Sequence, residues 1–197
     1  MTGKLNHLFA IRPEYSEAPC RVGTPVFANG ESVVSKRGTA QNLENTGEVL
    51  ATVIVDLGNL CDFLLTLSPP CLVISRRVFD LCQEHFEKAF AHYELQFDYQ
   101  GEANRDYLFL VPVQRYVIVD FDQAKIAYFD DIVDPRYARR VLEWVIDETK
   151  IPELEVFSDR FGLTIVTESL KNRLEEVGVT GSAFISLASL KEPLLGT

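Results

Sequence analysis

Residues 92–100, HYELQFDYQ, alternate apolar and polar positions without a fault. Tyr93, Leu95, Phe97 and Tyr99 point one way; Glu94, Gln96 and Asp98 point the other. A period of two with one wet face predicts a strand in an antiparallel arrangement. In 71–86, CLVISRRVFDLCQEHF, the pattern changes period midway. Leu72, Val73 and Ile74 predict a short buried strand, and Ser75 stands where it can cap a helix. Val78, Cys82, Phe86 (or His85), Ala89 and Phe90 then recur at helical spacing.

The same device returns in 162–187, GLTIVTESLKNRLEEVGVTGSAFISL. Leu163, Ile165 and Val166 make the strand, and Thr167 is the cap. Leu170, Leu174 and Val177 form the apolar stripe, Gly178 is the left-handed stop, and 183–187 close as a strand. Between the two modules, 107–131 read as two or three strands, interrupted at Pro112 and with Asp122-Gln123-Ala124-Lys125 as the hairpin turn. Asp134 followed by Pro135 signals a helix start. A helix is predicted over 136–149, with Ala138, Val141, Leu142 and Val145 as its apolar face.

Strands are also expected at 51–57 and 153–159, whereas 59–70 is ambiguous between helix and loop. The expectation is an α+β single domain: a largely antiparallel mixed sheet flanked by about three helices, near 76–90, 136–149 and 168–177. Its core should contain Leu72, Ile74, Phe97, Val117, Val119, Phe121, Ile165, Leu170 and Leu174. Residues 1–50 are expected to be an irregular N-terminal segment packed on or loosely attached to a core of 51–190. Residues 191–197 are expected to be a loose tail. Within the first segment, 13–49 is rich in proline, glycine and small polar residues.

Composition adds limits. The 197 residues are 47% hydrophobic and 11% aromatic, enough to bury a sizeable core. No apolar run approaches the roughly 20 residues that span a bilayer. The first residues, MTGKLNHLFAIRPEYSE, hold no apolar h-region and no cleavage site, so a cytoplasmic protein is expected. Cys20, Cys61, Cys71 and Cys82 form no C-x-x-C pair and are expected as buried free thiols.

The formal net charge is −10, which argues against nucleic-acid or anionic-membrane binding, since phosphate contact needs a basic face. It fits a basic protein partner. From Glu94 to Arg160 stand 15 acidic and 8 basic residues, a net of −7. Tyr99, Tyr107, Tyr116, Tyr128, Tyr137 and Trp144 lie in the same stretch. Aromatics anchor interfaces and charges steer partners onto them.

Catalytic signatures are lacking. There is no Walker loop, no G-x-G-x-x-G and no H-E-x-x-H, and neither Ser75 nor Thr167 sits in a nucleophile elbow. His7, His85 and His92 are scattered, and Cys82 with His85 has no second ligand pair to make a zinc site. No metal, cofactor or catalytic residue is expected. Asp120, Asp122, Asp130, Asp131 and Asp134 make the one carboxylate cluster. Its simplest reading is a solvated acidic rim; the alternative is a divalent-metal enzyme using Asp120, Asp122 and Asp130.

Two stretches carry a family resemblance. RDYLFLVPVQRYVIVDFDQAKI (105–126) resembles the tyrosine-led strand, "vvD" strand and turn of immunity family eleven, bacterial immunity proteins encoded beside polymorphic toxins. LEVFSDRFGLTIVTESLKNRLEEVGVTGSAFISL (154–187) resembles that family's phenylalanine strand, hydroxyl-capped helix and closing G-x-T-G-x-x-F. PPCLVISRRVFDLC (69–82) occupies the place of its first strand and helix. The resemblance spans about 70–187. It implies a small α+β protein, without cofactor or catalytic residues, that binds and neutralises a cognate toxin.

Joined to the charge, the resemblance makes a basic, nuclease-like toxin acting in the cytoplasm the expected partner. The toxin-binding candidates are Asp120, Asp122, Asp130, Asp131, Asp134, Tyr128 and Tyr137. An adaptor or chaperone for a secreted effector is a further reading, in which the bound partner would remain active.

Overall fold

A computed structural model of the chain describes residues 7–14, 20–35, 39–40, 49–51, 53–55, 58–67, 70–128 and 138–190. The fold is α+β, as expected. One sheet runs in the order β3 (Val26–Phe27), β4 (Val49–Ala51), β8 (Phe90–Tyr99), β9 (Glu102–Pro112), β7 (Leu72–Ser75), β6 (Phe63–Thr66), β2 (Arg21–Val22) and β5 (Val53–Val55). A second has the order β10 (Arg115–Tyr116), β13 (Val156–Asp159), β14 (Thr164–Thr167), β1 (Leu8–Pro13) and β15 (Ser182–Ser186). β11 (Lys125–Tyr128) and β12 (Ala138–Glu143) form a separate two-stranded ribbon. Pairing is antiparallel except for β2 with β6, β4 with β8 and β10 with β13.

Pattern and pleat agree best in β8. Tyr93, Leu95 and Phe97 are buried while Glu94 and Asp98 are exposed. Tyr93 and Leu95 stand opposite Phe109 and Tyr107 of β9. One face of the first sheet closes on itself around Cys20, Val22, Val49, Val73, Tyr93, Leu95 and Phe109. β4 and β5 are separated in the chain by a single residue yet lie towards opposite ends of the strand order, so the sheet curls round into a barrel-like turn.

Its other face meets the helices α1 (Arg76–Leu81), α2 (Gln83–Ala89) and α3 (Glu168–Glu176). One apolar cluster unites Ile74, Leu108 and Leu110 of the first sheet with Val156 and Val166 of the second. Val78, Phe79, Phe86, Leu170 and Leu174 fill it from the three helices. A further cluster, with Leu8, Ala10, Ile118, Phe157 and Ile165, covers the far side of the second sheet.

Both hydroxyl caps form. Ser75 Oγ accepts from Val78 N, and Thr167 Oγ1 accepts from Leu170 N, each at 3.4 Å. Helix α3 stops as expected: Gly178 has φ +65°, its N–H donates to Glu175 O, and Val179 N–H donates to Leu174 O. That is the two-bond Schellman pattern. The four cysteines are buried thiols outside any disulfide.

Several expectations fail. The helix expected over 136–149 is absent from its described part, where Ala138–Glu143 is a strand. Val141 and Leu142 at i and i+1, followed by Trp144 and Val145, suit either period, and the hydrogen bonds offered by β11 decide for the strand. The remaining expected helix, 76–90, is two helices broken at Cys82, whose φ and ψ leave the helical region.

The turn expected at 122–125 lies over 120–124, with Gln123 N and Ala124 N donating to Asp120 O, and it closes no hairpin. Residues 118–120 run instead against 145–147: Asp120 N donates to Val145 O and Asp147 N to Ile118 O, both at 2.8 Å. Off the regular pleat, Ile118 and Val119 are both fully buried, and Val117, expected in the core, is 37% exposed. Leu72 and Phe121 are half-buried, while Ile74, Phe97, Ile165, Leu170 and Leu174 are core as expected. Nor is 1–50 irregular throughout: β1 is an interior strand, paired with β14 on one side and β15 on the other.

Candidate functional site

The acidic, aromatic stretch resolves into a turn, an aromatic cluster and the ribbon. Asp120 opens the turn and is tied into it. Its Oδ1 accepts from Asp122 N (3.0 Å) and its Oδ2 from Gln123 Nε2 (2.6 Å). Asp120 is half-buried and Asp122 exposed. The antiparallel contact of 118–120 with 145–147 brings a third carboxylate close. Asp147 binds Lys150 Nζ at 2.8 Å, and that bond with those from Thr149 lowers the Asp147 pKa to about 2. Lys150 is held above its ordinary value by Asp147 first, and also by the charges of Asp120 and Asp122. The charges of the candidates Asp120 and Asp122 therefore act on the same lysine that Asp147 binds.

Next to that turn, Phe121 packs on Phe161 at 6.2 Å between ring centroids, and Trp144 meets Phe161 edge-on at 5.9 Å. The Arg160 guanidinium lies 6.0 Å from the Phe161 centroid. All three rings are half-buried, so each keeps part of its surface in water. Pattern reading assigned Phe121 to the core and passed over Phe161. No periodicity marks the Phe161 turn, because it is built by Asp159 beneath it.

Asp159 is fully buried. Its Oδ1 accepts from Phe161 N (2.9 Å) and Leu163 N (2.7 Å), while Oδ2 has no hydrogen-bond partner among the described residues. Burial pushes its pKa up to about 7, against those N–H bonds and the charge of Arg115. The Arg115 guanidinium donates to the main-chain oxygens of Asp159 (3.0 Å) and Arg160. A carboxylate and a guanidinium thus hold the Arg160-Phe161 turn from below.

Tyr128 is half-buried on the separate ribbon, opposite Ala138, and Lys125 pairs with Glu143 across the same ribbon at 3.1 Å. Asp130, Asp131, Asp134 and Tyr137 lie outside the described residues. Tyr107 is core, its hydroxyl donating to Cys61 O, and so is no anchor. No group of three His, Cys, Asp or Glu side chains suited to a metal ion gathers among the described residues.

The remaining polar node is structural. Residues 178–181, G-V-T-G, dock on Asp62, whose carboxylate also binds Ser75 and Arg77. The capped-helix modules of the two halves therefore meet at one buried acid. This is the sequence that closes the immunity-family pattern, and residues 24–189 match the family model described as Immunity protein family (Imm11). The chain belongs to this family. Curated proteins yield no match. Imm11 membership extends the likeness well upstream of residue 70, through the strands that curl the first sheet. Its coarse functional meaning is toxin neutralisation by an immunity protein, with a toxin as partner.

Proposed function

We propose that this Imm11 protein neutralises a cognate bacterial toxin in the cytoplasm by binding it and occluding its active or substrate-binding surface, without catalysis of its own. The docking face is the Phe121, Trp144 and Phe161 cluster with Asp120, Asp122 and Asp147 at its rim. The observation that carries this reading is the juxtaposition of three half-exposed rings with carboxylates. Such rings supply contact area at low entropic cost, and acidic groups at the rim attract a basic partner. A nuclease-like toxin suits this chemistry, because the surface that receives a phosphate backbone is basic. The carboxylates of Asp130, Asp131 and Asp134 and the rings of Tyr128 and Tyr137 belong to the same proposal.

Surface-plasmon kinetics against the purified toxin domain of the neighbouring reading frame test it. Replacing Asp120, Asp122, Asp130 and Asp131 together with Asn should slow association, most of all at low salt. Steering fades as the Debye length falls from about 10 Å at 0.1 M to about 3 Å at 1 M. Phe161→Ala should instead speed dissociation. Association that is independent of salt and identical for parent and quadruple variant would return the aspartates to a solvated rim.

A further inference from the structure

A second acidic feature lies in the first sheet, at the tip of the β8–β9 hairpin. Gln100 (φ +55°) and Gly101 (φ +86°) form a two-residue turn between the paired Tyr99 and Glu102. Two left-handed residues in succession are the tight turn whose twist suits a hairpin, so the tip is stiff. Asp98 Oδ1 accepts from Gly101 N at 3.0 Å, and Tyr99 Oη donates to Gly58 O at 2.8 Å, tying the hairpin to the neighbouring loop.

Between hairpin and loop lies a cleft of about 610 Å³, lined by Leu60, Tyr99, Glu102, Asn104, Arg105 and Asp106 among others. It is amphipathic. Leu60, 39% exposed, and the Tyr99 ring offer apolar surface; Glu102 and Asp106 are exposed carboxylates. Arg105 itself lines the cleft, its guanidinium donating to Gln96 through Nε and a terminal nitrogen, while the neighbouring Arg76 pairs with Glu94 and also feels the charge of Asp106. The cleft falls in the size range of ligand sites, but its wall lacks the predominantly apolar lining that a small organic ligand needs. Apolar surface beside carboxylates suits a long cationic side chain, whose methylenes lie on Leu60 and Tyr99 while its head group meets Glu102 or Asp106.

We infer that this cleft receives an arginine- or lysine-bearing loop of the toxin, as a docking point separate from the Phe161 face. The identity of the occupant rests on the function proposed above; the recognition of a cationic side chain by the cleft does not. Docking into a stiff cleft costs this protein little ordering, so the cleft adds affinity and fixes the orientation of the toxin.

The test has two parts. First, the full-length ¹⁵N-labelled chain is titrated with acetyl-Gly-Arg-Arg-Gly-amide. Saturable amide shifts are expected at Leu60 and at residues 99–106. They should be lost in the Glu102→Gln, Asp106→Asn double variant and weakened in Leu60→Ala, which leaves the charge unchanged. Circular dichroism checks that each variant is folded; all three side chains are exposed, so folding should be unaffected. No saturable shift, shifts centred on Asp120 and Asp122 instead, or shifts that persist in the double variant would overturn the inference. Second, toxin affinity is measured for the same variants. The double variant should bind about tenfold more weakly, the scale of two exposed ion pairs lost together. Unchanged affinity there, with affinity lost in the Asp120→Asn, Asp122→Asn variant, would remove the cleft and keep the Phe161 face. Loss in the cleft variants alone would do the reverse.

Discussion

Asp62 and Thr180 stand 118 residues apart in the chain and are bonded three ways. Thr180 Oγ1 accepts from Asp62 N at 3.0 Å and donates to the carboxylate at 3.1 Å. Thr180 N also donates to the carboxylate, at 3.1 Å. Asp62 is buried, and it further accepts from Ser75 Oγ at 2.6 Å and from Arg77 at 2.5 and 3.2 Å. One carboxylate thus ties the helix start of the first module to the segment just past the glycine stop of the second.

Asp62→Ala should therefore destabilise the fold by about 2–4 kcal/mol, since it leaves several buried or half-buried donors without an acceptor. Burial alone would raise the Asp62 pKa, but the bonds from Arg77, Ser75 and Thr180 outweigh it and hold the pKa below its ordinary value. A depressed folded pKa gives stability that is present above the unfolded value of 3.8 and lost as pH falls through the folded one. Urea unfolding from pH 6 down to pH 2.5 should show wild type losing stability at the acid end, and the variant losing less.

Gly181 is required by space as well as by φ. A Cβ there would sit 2.3 Å from Phe63 O and 2.7 Å from Cys61 Cβ, on a backbone with φ +80°. Gly181→Ala should cost on the order of 3 kcal/mol, because main chain must shift. Gly101 has φ +86° but nothing near its Cβ position, so Gly101→Ala should cost only about 1–2 kcal/mol. Thermal melts of the two variants compare the terms directly; equal losses would leave the close approach at Gly181 without energetic weight.

Among the described residues, the hydroxyl of Thr167 bonds only to α3. Thr167→Ala should lower stability by about 1 kcal/mol. Toxin affinity, measured on the folded fraction, should not change. Lost affinity at retained stability would give that hydroxyl a role in binding.

Asp159 acts in the opposite pH sense to Asp62. With its folded pKa raised from 3.8 to about 7, it binds more protons folded than unfolded across that window. Its contribution to stability therefore declines as pH rises from about 4 to about 7. Asp159→Asn keeps an acceptor for Phe161 N and Leu163 N but cannot ionise. The stability difference, variant minus parent, should move in favour of Asn between pH 5 and pH 8 by chemical denaturation. A pH-independent difference would mean that Asp159 does not titrate in this range.

Much of the fold follows from the sequence because it is local. The alternation of β8, the caps at Ser75 and Thr167 and the glycine stop at Gly178 each concern groups within a few residues of one another. Main-chain sterics and the unpaired N–H groups of a helix start specify them wherever the segment lies. The net charge and its concentration between Glu94 and Arg160 were legible for the same reason, and so was the family pattern. Tertiary structure decided what depends on a distant partner. Ala138–Glu143 suits helix or strand by its own spacing, and pairing with Lys125–Tyr128 made it a strand. Val117 lost the core to Ile118 because the chain leaves the regular pleat after Tyr116 to run against 145–147. Leu8–Pro13, in a segment that reads as irregular, became an interior strand because β14 and β15 offered it hydrogen bonds on both edges. The Phe161 cluster, the Asp62 node and the hairpin cleft all join residues far apart in the chain, and no local period encodes that proximity.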